Sequence, residues 1–365
     1  MIAVLNGWVR KYFSDPQAVF LAILLAAGFA VVVGMGYMLA PVLASIVIAY
    51  LLEGIVGALQ RRHVPRLVGV IAVQILFLGF LLILIFGLIP LLYQQLTQLV
   101  HEFPHMIARG QKALLHLPER YPEFFTTQQV QDLIVAVRAE IGSLGQHVVS
   151  MSLASVFSVI ALLVYLILVP LLVFFFLKDK ARILAWTADC LPQERSLLQQ
   201  VWGDVNAQIG NYVRGKFVEI LIVWAATAAT LAILGLKYAM LLGALVGFSV
   251  LVPYIGAVVV TIPVALVAFS QWGLTSEFAY VMVAYGIVQA LDGNVLVPLM
   301  FSEVVNLHPI AIIVAVLVFG GVWGFWGVFF AIPLATLVEA VMRAWPRNPP
   351  PVAAPAPAPP EGGLV

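Results

Sequence analysis

Residues 240–269 form an apolar run without a single charged side chain, yet Pro253 and Gly256 stand in its middle. As one straight helix the run would measure ~45 Å, against a hydrocarbon core of ~30 Å. Divided at PYIG, residues 253–256, each half is only ~18–20 Å long and crosses nothing alone. Proline removes an amide hydrogen and blocks the preceding turn, while glycine permits a reversal. The stretch therefore reads as a helical hairpin dipping into a membrane, with a long, kinked, tilted span as the alternative. Backbone groups freed at such a tip cannot face lipid; they are buried in protein or line a polar cavity. Pro253, Tyr254, Ile255 and Gly256 are accordingly candidate solute contacts.

Composition supports a hydrocarbon solvent. At 63% hydrophobic and 10% charged residues, the chain falls far below the roughly one-quarter charge of a soluble domain. Runs of about 20 apolar residues, rather than ten-residue alternating strands, argue for helices over a barrel. Expected spans cover 18–33, 39–59, 67–92, 151–177, 217–236 and 278–301. The two long stretches 240–269 and 309–338 complete an all-α integral membrane protein of about eight membrane segments. A Gly-rich turn containing Gly34, Gly36 and Pro41 is expected between the first two spans.

Lysine and arginine set the orientation. With the N-terminus inside, Arg10, Lys11, Arg61, Arg62, Arg66, Lys178, Lys180, Arg182, Arg195, Arg214, Lys216, Arg343 and Arg347 all fall on the cytoplasmic side, and the short outer connections hold Lys237. That asymmetry places both termini in the cytoplasm. The expected organisation is three membrane helices (1–90), an extracytoplasmic helical insertion (91–150), a fourth membrane helix and a cytoplasmic interfacial helix (151–216), a core with two hairpin-like segments (217–345), and a disordered Pro/Ala-rich tail (346–365). A net charge of +1 gives no bias toward nucleic acid, and Cys190, alone, forms no internal disulfide.

The stretch 309–338 repeats the first pattern. An apolar half meets a break at Gly320, Gly321, Gly324 and Gly327, then a second apolar half closes in FAIPLATLV, similar to VTIPVALVA with Pro333 answering Pro263. Interrupted hydrophobic segments in corresponding places are a pointer to secondary transporters built from repeats. Between them lies YGIVQALDGNVLVPLM, where Asp292 falls inside the hydrocarbon zone. A charge there needs a partner or a cavity. Gln289 shares its face, three residues earlier, while Gly286 and Gly293 border that face and permit close helix approach. Asp292 could bind a cation, a proton or a hydroxylated solute, or simply cap a broken helix. Lys216 and Glu219 read as an interfacial pair, Glu53 as reaching toward Arg61 and Arg62, and His308 as a cap beside Pro309.

Walker A, HExxH, GxSxG and Cys/His patterns are absent from the sequence, so neither an enzyme, a cofactor nor a metal is expected. A potassium-type filter is absent too.

The combination of PYIG, TIPVAL, QALDGNVLVPLMF, NLHP and a Gly-rich run closing in AIPLATLVEAV resembles the autoinducer-2 exporter family of permease-like bacterial membrane proteins. YVRGK at 212–216, FLKDKAR at 176–182 and LAPVLASIVIAYLLEGIV near the N-terminus fit as well, so the likeness spans nearly the whole chain except its tail. It implies a multi-pass inner-membrane transporter, homopentameric, whose hairpins contact the solute in an elevator-type movement. The positions it carries over are Pro253, Tyr254, Ile255, Gly256, Asp292, Gly293, Asn294, Pro298, His308 and Pro309. Some members export autoinducer-2 and others are linked to sodium or lithium exchange for protons. Three functions follow: export of a small polar solute, with proton or sodium coupling open; cation/proton antiport through Asp292; or a non-transporting scaffold.

Overall fold

The computed structural model describes residues 16–115, 155–192, 196–253, 255–301 and 308–345, with isolated positions between 118 and 135. The first fifteen residues, Tyr254, most of the second half of the insertion and the Pro/Ala-rich tail lie outside the described residues.

Every element is helical among the described residues: α1 (Pro16–Arg61), α2 (Arg66–Ile83), a π-helical turn (Leu84–Leu88), α3 (Ile89–Leu115), α4 (Ser155–Lys178), α5 (Lys180–Asp189), α6 (Ser196–Ile233), α7 (Ala239–Ser249), α8 (Ile255–Trp272), α9 (Ser276–Leu291), a second π-helical turn (Asp292–Leu296), α10 (Val297–Phe301), α11 (Pro309–Phe329) and α12 (Ala331–Ala344). Among the described residues seven helical stretches are long and apolar enough to cross a membrane, Pro16–Gly36 and Met38–Arg61 of α1 counting as two, while Ala239–Ser249 is too short. The chain is an all-α integral membrane protein.

Helices run through three expected breaks, though the first remains a bend. The turn at Gly34, Gly36 and Pro41 is carried as a sharp bend inside α1, helical from Pro16 to Arg61. The Ser196 hydroxyl donates to Gln17 at 3.1 Å and the Tyr50 hydroxyl to Asn206 at 2.5 Å. Residues 17 and 50, which a straight helix would hold ~50 Å apart, thus meet α6 within ten residues of each other. In an apolar solvent the freed amides and carbonyls have no water to turn to, so the helix holds through glycine and proline. Gly36 is kept bare for another reason: the indole of Trp323 lies where its side chain would stand. Likewise α2, the π-turn and α3 run on from the expected third span into the insertion as one stretch, Arg66–Lys112. The expected interfacial helix and fifth span fuse into α6, with 38 residues.

The main core gathers α6 to α9. Leu231, Leu242, Val246, Val264, Val267, Val281 and Tyr285 are buried together, and among apolar surroundings their close packing rather than the removal of water holds them. The backbones of α6 and α7 lie in near contact. A β-carbon on Gly243 would stand 2.7 Å from that of Ala228, and one on Gly247 2.7 Å from that of Trp224. Small residues of this kind let membrane helices approach without a hydrophobic driving force between them. A second core joins α1, α2 and α4 through Val56, Val70, Val73 and Val173.

Candidate functional site

The chain reverses between α7 and α8, with Leu251, Val252 and Pro253 in the turn. The feet of this first hairpin are tied together: the Lys237 amide donates to Oε1 of Gln271 at 2.9 Å, and Nε2 of Gln271 donates to the Gly235 carbonyl at 2.8 Å. Both legs therefore begin and end on the same side, and 240–269 is a hairpin rather than a tilted span. Its legs are unequal, 11 and 18 residues in α7 and α8, because the break falls ahead of the centre of the run. At the tip, the Ile255 amide donates to the Pro253 carbonyl at 2.7 Å and the Gly256 amide to the Val252 carbonyl at 2.9 Å. The Ser249 carbonyl occupies the place where a side chain on Gly256 would begin.

The second hairpin uses the same device. Within α11 the helical path breaks at Gly324, with φ 59° and ψ −135°, a conformation essentially reserved for glycine. Beyond the break, the Phe319 carbonyl fills the β-carbon position of Gly327, and Val328 crowds Gly320. Gly321 meets nothing. The returning leg continues into α12, and Ala315, Val316 and Ala331 close on one another, with Val252 of the first tip packed against them. The two tips meet.

A polar chain joins the first hairpin to the helices beside it. The hydroxyls of Thr261 and Tyr285 are 3.1 Å apart, Tyr285 donates to the Ala257 carbonyl at 3.4 Å, and Nε2 of Gln289 donates to the Tyr285 hydroxyl at 2.5 Å. One turn on, Asp292 opens the second π-turn. Such insertions recur at functional sites. Its Oδ1 is buried and accepts no hydrogen bond. From α6, against which the helices before and after the second π-turn pack, Lys216 and Glu219 form an ion pair at 2.8 Å whose side chains are 6% and 2% exposed. The bundle thus carries a buried ion pair on α6 and a further carboxylate at the π-turn of the neighbouring helix. Tyr212, one turn before Lys216 on the same helix, donates to the Phe329 carbonyl of the second hairpin at 3.4 Å.

Gln289 is joined to the first hairpin through Tyr285, and Val252 joins the first tip to the second, whereas Asn294 is exposed and returns its amide to the Ala290 carbonyl at 2.8 Å. Gly293 and Pro298 are also exposed. His308 caps α11, its Nδ1 accepting from the Ile310 amide at 3.3 Å, with Pro309 at the first helical position. The Lys216–Glu219 pair, expected at the interface, is buried instead, because α6 turns that face toward α9. Glu53 pairs with Arg66 at 3.3 Å and Lys180 at 2.9 Å rather than with Arg61 and Arg62. Tyr285 and Thr261 carry no motif of their own in the sequence; Tyr285 lies four residues before Gln289 and seven before Asp292, a spacing legible as one helix face. A shallow groove of about 720 Å³ along Val258, Ile262, Ala265 and Leu266 is apolar, as suits a surface facing lipid or another apolar partner.

Interrupted helices meeting at buried polar side chains define a multi-pass membrane permease. The chain belongs to the AI-2E transporter family, whose family model matches residues 18–347. It is 46% identical over 346 residues to the candidate permease PerM of Escherichia coli K12, covering 95% of this chain and 98% of that one. A candidate transport protein of Bacillus subtilis, YueF, is 28% identical over 308 residues, 82% of each chain.

Proposed function

We propose that this permease exports a small polar, hydroxylated solute of the autoinducer-2 kind across the bacterial cytoplasmic membrane, both its termini lying in the cytoplasm. The two hairpins carry the solute in an elevator-type movement within a homopentamer. The observation that supports this reading is the polar chain from the Ala257 carbonyl through Thr261, Tyr285 and Gln289 to the unpartnered oxygen of Asp292. A hydroxylated solute supplies the donor that this oxygen lacks, and hydrogen-bonding sites of this kind discriminate strongly against solutes without one. The test is protection at the tip. With Cys190→Ser as background, Val252→Cys is labelled by a water-soluble maleimide; autoinducer-2 should slow labelling in a saturable manner, and an unchanged rate at every concentration contradicts the reading.

A second reading rests on charge. Lys216, Glu219 and Asp292 together leave one negative charge in a low-dielectric interior, which one proton or one monovalent cation neutralises. Sodium or lithium exchange for protons is the function that this count favours. It predicts pH-dependent sodium flux that Asp292→Asn eliminates, where solute export would be weakened but not lost.

A further inference from the structure

One face of α3 grips the feet of the first hairpin at the end that carries Lys237. Gln95, Glu102, Met106 and Arg109 follow one another at helical spacing. Oε1 of Gln95 accepts from the Leu241 amide at 2.9 Å, Glu102 pairs with Lys237 at 3.3 Å, and Arg109 donates to the Ser270 carbonyl. Met106 is buried in the main core. Between helix and hairpin lies a polar cavity of about 220 Å³, lined by Glu102, His105, Arg109, Lys237, Ser270 and Gln271.

The charges in this cavity do not cancel. Glu102 is committed to Lys237, and Arg109 stands about two turns farther along α3, ~10 Å away. Among the described residues Arg109 meets no carboxylate; its one partner is a neutral carbonyl. A guanidinium has five N–H donors in a planar fork suited to oxyanions, and a single carbonyl takes up only one of them. The remaining donors, beside the Lys237 ammonium in a polar cavity, make a receptor for negative charge.

We propose that this cavity binds a phosphate-type oxyanion, held by Arg109 and Lys237 between α3 and the hairpin feet. The group is either a free phosphate or the headgroup of an anionic phospholipid, since the cavity lies where a membrane-crossing bundle meets its interface. Binding bridges α3 to the hairpin and tightens the clamp. The site goes beyond the transport reading and does not depend on it.

The experiment follows thermal unfolding of the intact protein in two settings. In delipidated detergent micelles, inorganic phosphate is titrated at constant ionic strength against chloride. In nanodiscs, phosphatidylglycerol is compared with phosphatidylcholine. A rise in Tm with phosphate identifies the free anion as sufficient, and a rise with phosphatidylglycerol alone identifies the lipid headgroup. In either setting Arg109→Gln should weaken the apparent affinity about tenfold or more, and Lys237→Gln should weaken it as well. Arg109→Lys should retain part of the effect, and Lys112→Gln, which lies outside the cavity lining, should retain all of it. The proposal is overturned if neither phosphate nor phosphatidylglycerol raises the wild-type Tm, if Arg109→Gln responds like wild type, or if Lys112→Gln loses as much as Arg109→Gln. Should Arg109→Gln unfold on purification, Lys237→Gln decides on the same criterion.

Discussion

The carbonyl of Ser249 sits where the side chain of Gly256 would begin, and the two residues are seven apart in the chain. In a continuous helix they would be ~10 Å apart along the axis, so the contact fixes the reversal. The pair Phe319 and Gly327 repeats it in the second hairpin. Two interrupted helices therefore close on themselves by the same means.

Substitution of either glycine should open its tip. Gly256→Ala and Gly327→Ala each force a methyl against a backbone carbonyl that cannot swing aside, at a cost of about 3 kcal/mol. Each variant is expected to lower Tm and to lose transport, whereas Gly293→Ala, with nothing near its β-carbon position, should unfold as wild type does. Thermal unfolding in micelles reads the difference.

Breaking the buried pair on one side should be worse than removing both charges. Lys216→Met leaves Glu219 buried and uncompensated, with an expected loss of about 3–5 kcal/mol. Lys216→Met combined with Glu219→Leu removes one charge of each sign and should recover much of that loss. A double-mutant cycle measures the coupling; strict additivity of the two single changes would contradict a buried, interacting pair.

Tyr285 is expected to set the orientation of the Gln289 amide. Tyr285→Phe leaves the ring in the core but removes the hydroxyl that contacts Gln289, Thr261 and Ala257. The cost to stability should be about 1–3 kcal/mol. Apparent affinity for the solute should fall with the maximal flux nearly kept, which concentration-dependent uptake into vesicles resolves.

Both feet of the first hairpin should be reached from one side. In a Cys190→Ser background, Leu274→Cys and Lys237→Cys are expected to react together with an impermeant thiol reagent applied outside, and neither with reagent confined to the inside. Labelling from opposite sides would turn the hairpin back into a span.

Much of the fold is written in apolar run lengths and in Pro253, Gly256 and Gly324, since hydrocarbon leaves a chain few ways to satisfy its backbone. Gly34, Gly36 and Pro41 mark a reversal as well, kept as a bend within a helix rather than as a loop, since Gln17 and Tyr50 both reach the first part of α6, and Gly36 also admits Trp323. At the site, Asp292 and Gln289 stand out as polar side chains in an apolar run. The burial of Lys216 and Glu219 does not, because a pair three residues apart near a span end looks the same whether it faces water or a neighbouring helix. Only the packing of α6 against α9 separates the two cases. Tyr285 is hidden for a related reason, its ring fitting any apolar face while its hydroxyl does the joining.

The most direct test is flux in proteoliposomes of purified protein, with autoinducer-2 and sodium/proton exchange followed in parallel for wild type and Asp292→Asn. Wild-type solute flux is expected to exceed that of protein-free vesicles and to fall in the variant. Absence of wild-type flux of both kinds would contradict solute export, as would solute flux that Asp292→Asn leaves unchanged.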